Sequence, residues 1–83
     1  MNYLQVLRAE LSDLQEHHAM RRQEKARSPE MGPDLHRVLS LLPGRISRAE
    51  VAVSIAERTG KESAISGAQA AIIDAWRVTG TLA

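Results

Sequence analysis

Residues 4–14 read Leu-Gln-Val-Leu-Arg-Ala-Glu-Leu-Ser-Asp-Leu, and their spacing decides how this chain begins to fold. The leucines recur at alternating intervals of three and four residues. This is the a/d pattern by which a helix packs an apolar seam against another helix. Good helix formers dominate residues 2–27, which contain neither Gly nor Pro, so the pattern predicts one long helix there.

The apolar seam of this helix is short. It covers two heptads, and its next positions are His18, Arg21 and Lys25. Such a seam supports helix pairing without fixing parallel or antiparallel order, and it can also dock onto its own chain. We expect an intermolecular contact, because a long helix ahead of a linker has few partners within its chain. The predicted dimer interface consists of Leu4, Leu7, Leu11, Leu14 and His18.

The chain is small and its apolar inventory is thin. It has 83 residues, no Phe and no Cys, and Tyr3 and Trp76 are its only aromatic residues. This length predicts one domain, close to the lower limit for a single stable core. Without Cys no disulfide reinforces that core, so oligomerisation is the common remaining route, and we expect a homodimer.

Export and membrane signals are absent from the sequence. The N-terminus lacks a basic start followed by an apolar core, and no apolar run approaches the roughly 20 residues that span a bilayer. The lack of Cys fits a reducing compartment. These features predict a cytoplasmic protein without a membrane partner.

One internal boundary is predicted, at Ser28-Pro29-Glu30-Met31-Gly32-Pro33. Two prolines and a glycine in six residues break a helix, and each residue before a proline is pushed away from helical geometry. The predicted organisation is therefore an N-terminal dimerisation helix (1–27), a linker (28–34) and a head (35–83).

The head reads as three helices, which makes the predicted fold class all-α. Asp34 is the expected N-cap of a short helix that Pro43-Gly44 ends. Ser47 and Ser66 each open a capping-box pattern, so each is predicted to begin a further helix. Gly60 and Gly80 suit the left-handed residue after a helix end.

No catalytic or metal-binding pattern is present in the sequence, which predicts a non-enzymatic protein without cofactors. Glu16-His17-His18 is the densest group of possible metal ligands. Adjacent residues on a helix point in different directions, so His17 and His18 cannot chelate one ion. A basic cluster at residues 21–27 is either a phosphate-facing patch or a solvated helix end that complements the helix dipole.

Two stretches of the head stand out: Ile-Ala-Glu-Arg-Thr-Gly, residues 55–60, and the closing run Ile-Ile-Asp-Ala-Trp-Arg-Val-Thr-Gly-Thr-Leu, residues 72–82. With these stretches, the order of elements in residues 35–82 resembles the helical part of helix-turn-helix and winged-helix regulators. The sequence stops where the wing hairpin would begin, so we expect at most a wingless version. The turn at residues 60–66 is longer than the usual tight turn, and the helix in the recognition position has few polar or basic side chains.

What the resemblance implies is a small DNA-associated regulator. The residues that would then contact DNA are Arg45, Arg48, Arg58, Lys61, Ser63, Ser66 and Gln69. The weak charge of the recognition helix favours the alternative, a protein–protein interaction module that acts as an adaptor or inhibitor of a larger complex and does not bind DNA. Both alternatives stay open on the sequence alone.

Overall fold

Three helices make up the fold. The structure is a computed structural model, and it describes residues 2–27, 30 and 32–80. The helices are α1 (Tyr3–Arg27), α2 (Pro33–Thr59) and α3 (Glu62–Thr79), and the described residues include no β-strand. The all-α prediction is confirmed, although the sequence predicted four helices in place of three.

α1 begins with a reciprocal cap. The backbone N–H of Gln5 donates to Oδ1 of Asn2 at 2.9 Å, and the backbone N–H of Asn2 donates to Oε1 of Gln5 at 3.3 Å. Together they satisfy donors that the first helical turn would otherwise leave unpaired. α1 then runs to Arg27, in agreement with the helix predicted over residues 2–27.

α2 begins two residues earlier than predicted. Gly32 is its N-cap in an extended conformation and Pro33 lies in its first turn, where the missing N–H costs nothing. Asp34 is therefore not the N-cap; it lies in the first turn, where a carboxylate complements the helix dipole. Of the predicted linker, residues 28, 29 and 31 lie outside the described residues.

α2 is continuous through Pro43, so the predicted helix end at Pro43-Gly44 and the predicted new start at Ser47 are wrong. An internal proline loses one hydrogen bond and crowds the carbonyl four residues earlier, at a cost of about 3 kcal/mol. Burial offsets this cost, because a fully buried Leu or Ile contributes about 1.5–3 kcal/mol. The buried face keeps helical spacing across the proline: Val38, Leu42, Ile46, Ala49, Val53 and Ala56.

α2 and α3 are joined by a two-residue turn. Gly60 adopts the left-handed conformation with φ 65°, and its N–H donates to the carbonyl of Ala56 at 2.8 Å. Gly80 ends α3, also in the left-handed conformation with φ 79°, and its N–H donates to the carbonyl of Arg77 at 3.1 Å, so both glycine stops are confirmed. The predicted helix start at Ser66 is wrong: α3 begins at Glu62, directly after an extended Lys61.

The three helices pack around one core. Arg8 of α1 contacts Glu57 of α2, and Gln15 donates to Glu50 at 3.2 Å, so α1 and α2 are antiparallel. α2 and α3 are also antiparallel, since Arg45 and Asp74, far from the turn on each helix, meet at 2.9 Å. Long side-by-side packing differs from the steep crossing of a helix-turn-helix, which the described residues do not show.

The leucine seam of α1 is covered by the chain itself. Leu7, Leu11 and Leu14 are at most 1% exposed, and they belong to one cluster with the buried faces of α2 and α3. Leu4 and His18, at the two ends of the predicted interface, are half-buried. The structure thus accounts for the seam leucines without a second chain, because α2 and α3 fold back onto α1.

Leu11→Ala should lower the free energy of unfolding by about 2–5 kcal/mol, because it leaves a cavity in a core that is fully closed. The loss should be the same at about 5 and about 200 μM protein, since the core belongs to one chain. Urea unfolding followed by circular dichroism measures it. Ser12→Ala, at an exposed neighbouring position, is the control. A midpoint that rises with protein concentration would contradict an intramolecular seam.

Candidate functional site

The residues predicted to contact DNA do not share one surface. Gln69 and Ser66 lie beside Tyr3, on the side of α3 that faces α1. Arg48 lies on the opposite side of α3, in the groove between α2 and α3. Arg45 donates to the carboxylate of Asp74 at 2.9 Å, so its charge is already engaged.

The remaining predicted DNA contacts lie near the α2–α3 turn. Arg58 is in the last turn of α2, on a surface that it shares with the acidic side chains of Glu50 and Glu57. Lys61 precedes α3, and Ser63 is exposed in its first turn. The basic residues thus lie at two separate places, Arg45 with Arg48 and Arg58 with Lys61, rather than in a continuous stripe that could follow a phosphate backbone.

The most apolar concave surface is the groove between α2 and α3, on the side away from α1. It encloses about 430 Å³ and is open to solvent along its length. Arg48, Ala52 and Ile55 line it from α2. Ala64, Gly67, Ala70, Ala71 and Asp74 line it from α3. We call it the α2–α3 groove.

The α2–α3 groove is shaped for a rod rather than for a compact ligand. It runs from Ile55 and Ala64, close to the turn, to Arg48 and Asp74, which lie seven residues along α2 and ten residues along α3, or roughly 10–15 Å away. Its α3 wall consists of small side chains, so an approaching backbone can come close. The only charged groups that line it are Arg48 and Asp74, both at the end far from the turn.

Gly67 is the feature of this groove that the fold does not explain. It lies inside α3, where a glycine costs about 1 kcal/mol relative to alanine. A Cβ added at Gly67 would meet nothing within 4 Å, and its φ is not in the left-handed region. Among the described residues, neither close packing nor backbone conformation requires this glycine.

Exposed apolar side chains continue the groove onto the surface of α2. Val51 is 60% exposed and Ile55 is 39% exposed, within one turn of each other. Scattered exposed hydrophobic residues are common, whereas contiguous ones that adjoin a groove are typical of interaction sites.

His17 makes a contact that the sequence did not predict. Its ring meets the ring of Trp76 edge-to-face, with centroids 5.7 Å apart, and its Nε2 lies 3.4 Å from Nε of Arg21. Burial and the positive charge of Arg21 hold the pKa of His17 below its ordinary value, although Glu24 acts in the opposite direction. His17 thus belongs to the α1–α3 contact. Among the described residues, no three His, Asp or Glu side chains are placed to hold a metal ion.

No helix within the described ranges is both long and apolar enough to cross a membrane. No protein-family model, characterised protein or solved structure matches this chain.

The His17–Trp76 contact should make the fold sensitive to mild acid. The pKa of His17 is lower in the folded chain than its value of 6.5 in the unfolded chain, so protonation favours unfolding. Neutral His17 therefore stabilises the fold above pH 6.5, the pKa in the unfolded chain. This stabilisation is lost as the pH falls from 6.5 towards the lower pKa of the folded chain. The thermal midpoint should therefore drop between about pH 7.5 and about pH 5.5, and drop less in His17→Phe, which keeps an aromatic contact without titrating.

His36→Gln is the control for this experiment, because His36 is exposed on α2. The thermal midpoint of His36→Gln should drop with pH as much as that of the unchanged chain. If the midpoint of His17→Phe also dropped by the same amount, His17 would not be the group that makes the fold sensitive to acid.

Gly67→Ala should raise the free energy of unfolding by about 0.5–1 kcal/mol, since it removes a helix-interior glycine and its methyl group meets open space. Gly44→Ala is a matched comparison: Gly44 lies inside α2, and its Cβ would also meet nothing within 4 Å. Urea unfolding should show similar gains for both. A gain for Gly44→Ala with a loss for Gly67→Ala would mean that the chain's own packing requires Gly67.

Proposed function

We propose that this protein is a non-enzymatic interaction module that binds one α-helix of a partner protein in the α2–α3 groove. The observation that carries the proposal is Gly67, a helix-interior glycine that the fold does not require and that lines the groove. Close approach of a partner backbone would explain the glycine, because a larger side chain at position 67 would keep that backbone at a greater distance from α3.

A fourth helix is the occupant that fits the shape of the groove. Three helices already enclose the core, and a helix laid between α2 and α3 would extend them towards a four-helix arrangement. About two to three helical turns match the length of the groove, and helix axes packed over small side chains approach to about 8 Å. Such a helix would also cover Val51 and Ile55, which are exposed in the free chain.

Charge suggests the character of the partner helix at one end. Asp74 is paired with Arg45, whereas Arg48 makes no ion pair with any described residue. The partner helix would carry apolar residues at three- and four-residue spacing, which cover the apolar wall of the groove. It would also carry a carboxylate that pairs with Arg48.

DNA association remains the alternative prediction, and the geometry supports it less. Its predicted contacts lie on both sides of α3, and Arg45 is engaged by Asp74. A homodimer also remains a prediction. Since the seam leucines are covered within the chain, a second copy would have to use another surface, of which the α2–α3 groove is the most apolar.

Peptide display tests helix docking. A library of helical peptides with randomised exposed positions is selected on the folded protein, and binders are compared on Gly67→Leu, which fills the groove. Binding should weaken by about tenfold or more, since the added side chain occupies the space of the partner helix. Gly44→Leu, which adds the same side chain to α2 outside the groove, should leave binding unchanged.

Two outcomes would contradict helix docking. One is a set of selected peptides that bind Gly67→Leu as well as the original chain, and the other is no binder tighter than about 100 μM. Random-sequence duplex DNA is titrated in parallel. Binding that weakens steeply between about 50 and 200 mM salt, and that Arg58→Ala and Lys61→Ala reduce, would favour DNA as the partner instead.

A further inference from the structure

Beyond His17, α1 extends past its contact with α3. Trp76, which meets His17, lies in the last turn of α3, and α1 continues for ten more residues, about 15 Å. Residues 18–27 of α1 and 33–43 of α2 form a two-helix projection that we call the arm. The concave surface between its two helices is lined by α1 and α2 alone.

In the arm, the seam positions of α1 change from apolar to polar and cationic residues. Leu7, Leu11 and Leu14 are followed in the seam by His18 and Arg21, which are half-buried, and by Lys25, which is exposed. α2 remains apolar here, with Val38 buried and Leu35 and Leu39 half-buried. Apolar side chains of α2 thus lie beside cationic side chains of α1.

The arm also holds the excess positive charge of the molecule. Residues 18–43 include five basic residues (Lys or Arg) and three acidic residues (Asp or Glu). The rest of the chain includes six basic and seven acidic residues. Arg21 is paired with Glu24 at 3.0 Å, and Arg37 lies 4.0 Å from Asp34. No described carboxylate lies within ion-pair distance of Arg22, Lys25 or Arg27.

Two of these unpaired cations border an apolar pocket. The pocket encloses about 640 Å³ and is lined by His18, Arg22, Lys25, Ala26, Leu39 and Pro43. The helix dipole explains a preference for cations in the last turn of α1, at Lys25 and Arg27. It explains neither Arg22, which lies before that turn, nor the apolar floor formed by Leu39 and Pro43.

We propose that the arm pocket binds an acidic segment of a protein partner that places an apolar side chain between its carboxylates. The carboxylates would pair with Arg22 and Lys25, which lie one helical turn apart, and the apolar side chain would cover Leu39 and Pro43. A nucleic-acid backbone offers phosphates to the same cations, but its phosphates and sugars have no apolar side chain to bury against Leu39 and Pro43.

This surface is distinct from the α2–α3 groove, and no residue lines both. Arm substitutions and groove substitutions therefore test the two proposals separately. If both hold, the protein has two binding surfaces and links two partner segments.

Fluorescence anisotropy with two labelled peptides tests the arm. Both consist of glutamates and alanines with the same charge, but one carries two leucines a helical turn apart and the other serines in their place. At about 50 mM salt the leucine peptide should bind more tightly than the serine peptide, by about tenfold, because only leucines can cover the apolar floor. The double substitution Arg22→Glu and Lys25→Glu should weaken binding of the leucine peptide by about tenfold relative to the unchanged protein.

Matched variants separate this site from net charge and from unfolding. Arg58→Glu with Arg77→Glu makes the same charge change at exposed positions that line neither the arm pocket nor the α2–α3 groove, and it should leave binding within about two-fold. Leu39→Ser should weaken the leucine peptide. If it unfolds the chain, Ala26→Gln adds neutral bulk at an exposed position of the pocket and should have the same effect.

Several results would overturn the proposal. They are no binding of the leucine peptide, equal binding of the serine peptide, equal weakening by both double substitutions, and tighter binding of duplex DNA or of vesicles with phosphatidylserine than of the leucine peptide. A change in oligomeric state caused by the arm substitutions, without peptide binding, would also overturn it and would indicate a second copy of the chain as the occupant.

Discussion

Burial of one face of α1 is the constraint on which the rest of the structure depends. Of the six largest fully buried side chains, three belong to α1: Leu7, Leu11 and Leu14. The others, Leu42, Val53 and Ile72, lie in the faces of α2 and α3 that these leucines cover. With no Cys and only Tyr3 and Trp76 from the large aromatic types, the chain depends on this shared apolar core for its stability. A hairpin of α2 and α3 alone would leave its apolar face in water, so α1 completes the core.

The same constraint keeps α2 whole. Local signals at Pro43, Gly44 and Ser47 favour a helix end and a new start, but a break there would move Leu42 and Ile46 away from the surface of α1 and α3. Packing outweighs the local cost, as it commonly does when an apolar face is continuous. Continuity has a second consequence, because α2 at 27 residues and α1 at 25 are both longer than α3 at 18. The difference in length creates the arm.

Both proposed binding surfaces include residues that the core does not need. On α3, Ala68 and Ala75 are fully buried, where small side chains let helices pack closely, whereas Gly67 and Ala70 face outward. In the arm, Arg22 and Lys25 lie beside apolar side chains of α2 with no described acidic partner. Residues that lower the stability of the fold, or do not contribute to it, can be explained by selection for binding.

The sequence by itself determined the helical content, the extent of α1, and the helix ends at Gly60 and Gly80, because these follow from local propensity, leucine spacing and the backbone freedom of glycine. It also singled out the seam leucines as packing residues. Only the tertiary structure decided what they pack against, since a two-heptad seam fits a second chain and the same chain equally well. The continuity of α2 and the start of α3 at Glu62 were likewise decided by burial, which overrode the signals at Pro43 and Ser66. The α2–α3 groove and the arm pocket each join residues from two helices, so no stretch of sequence could have shown either surface alone.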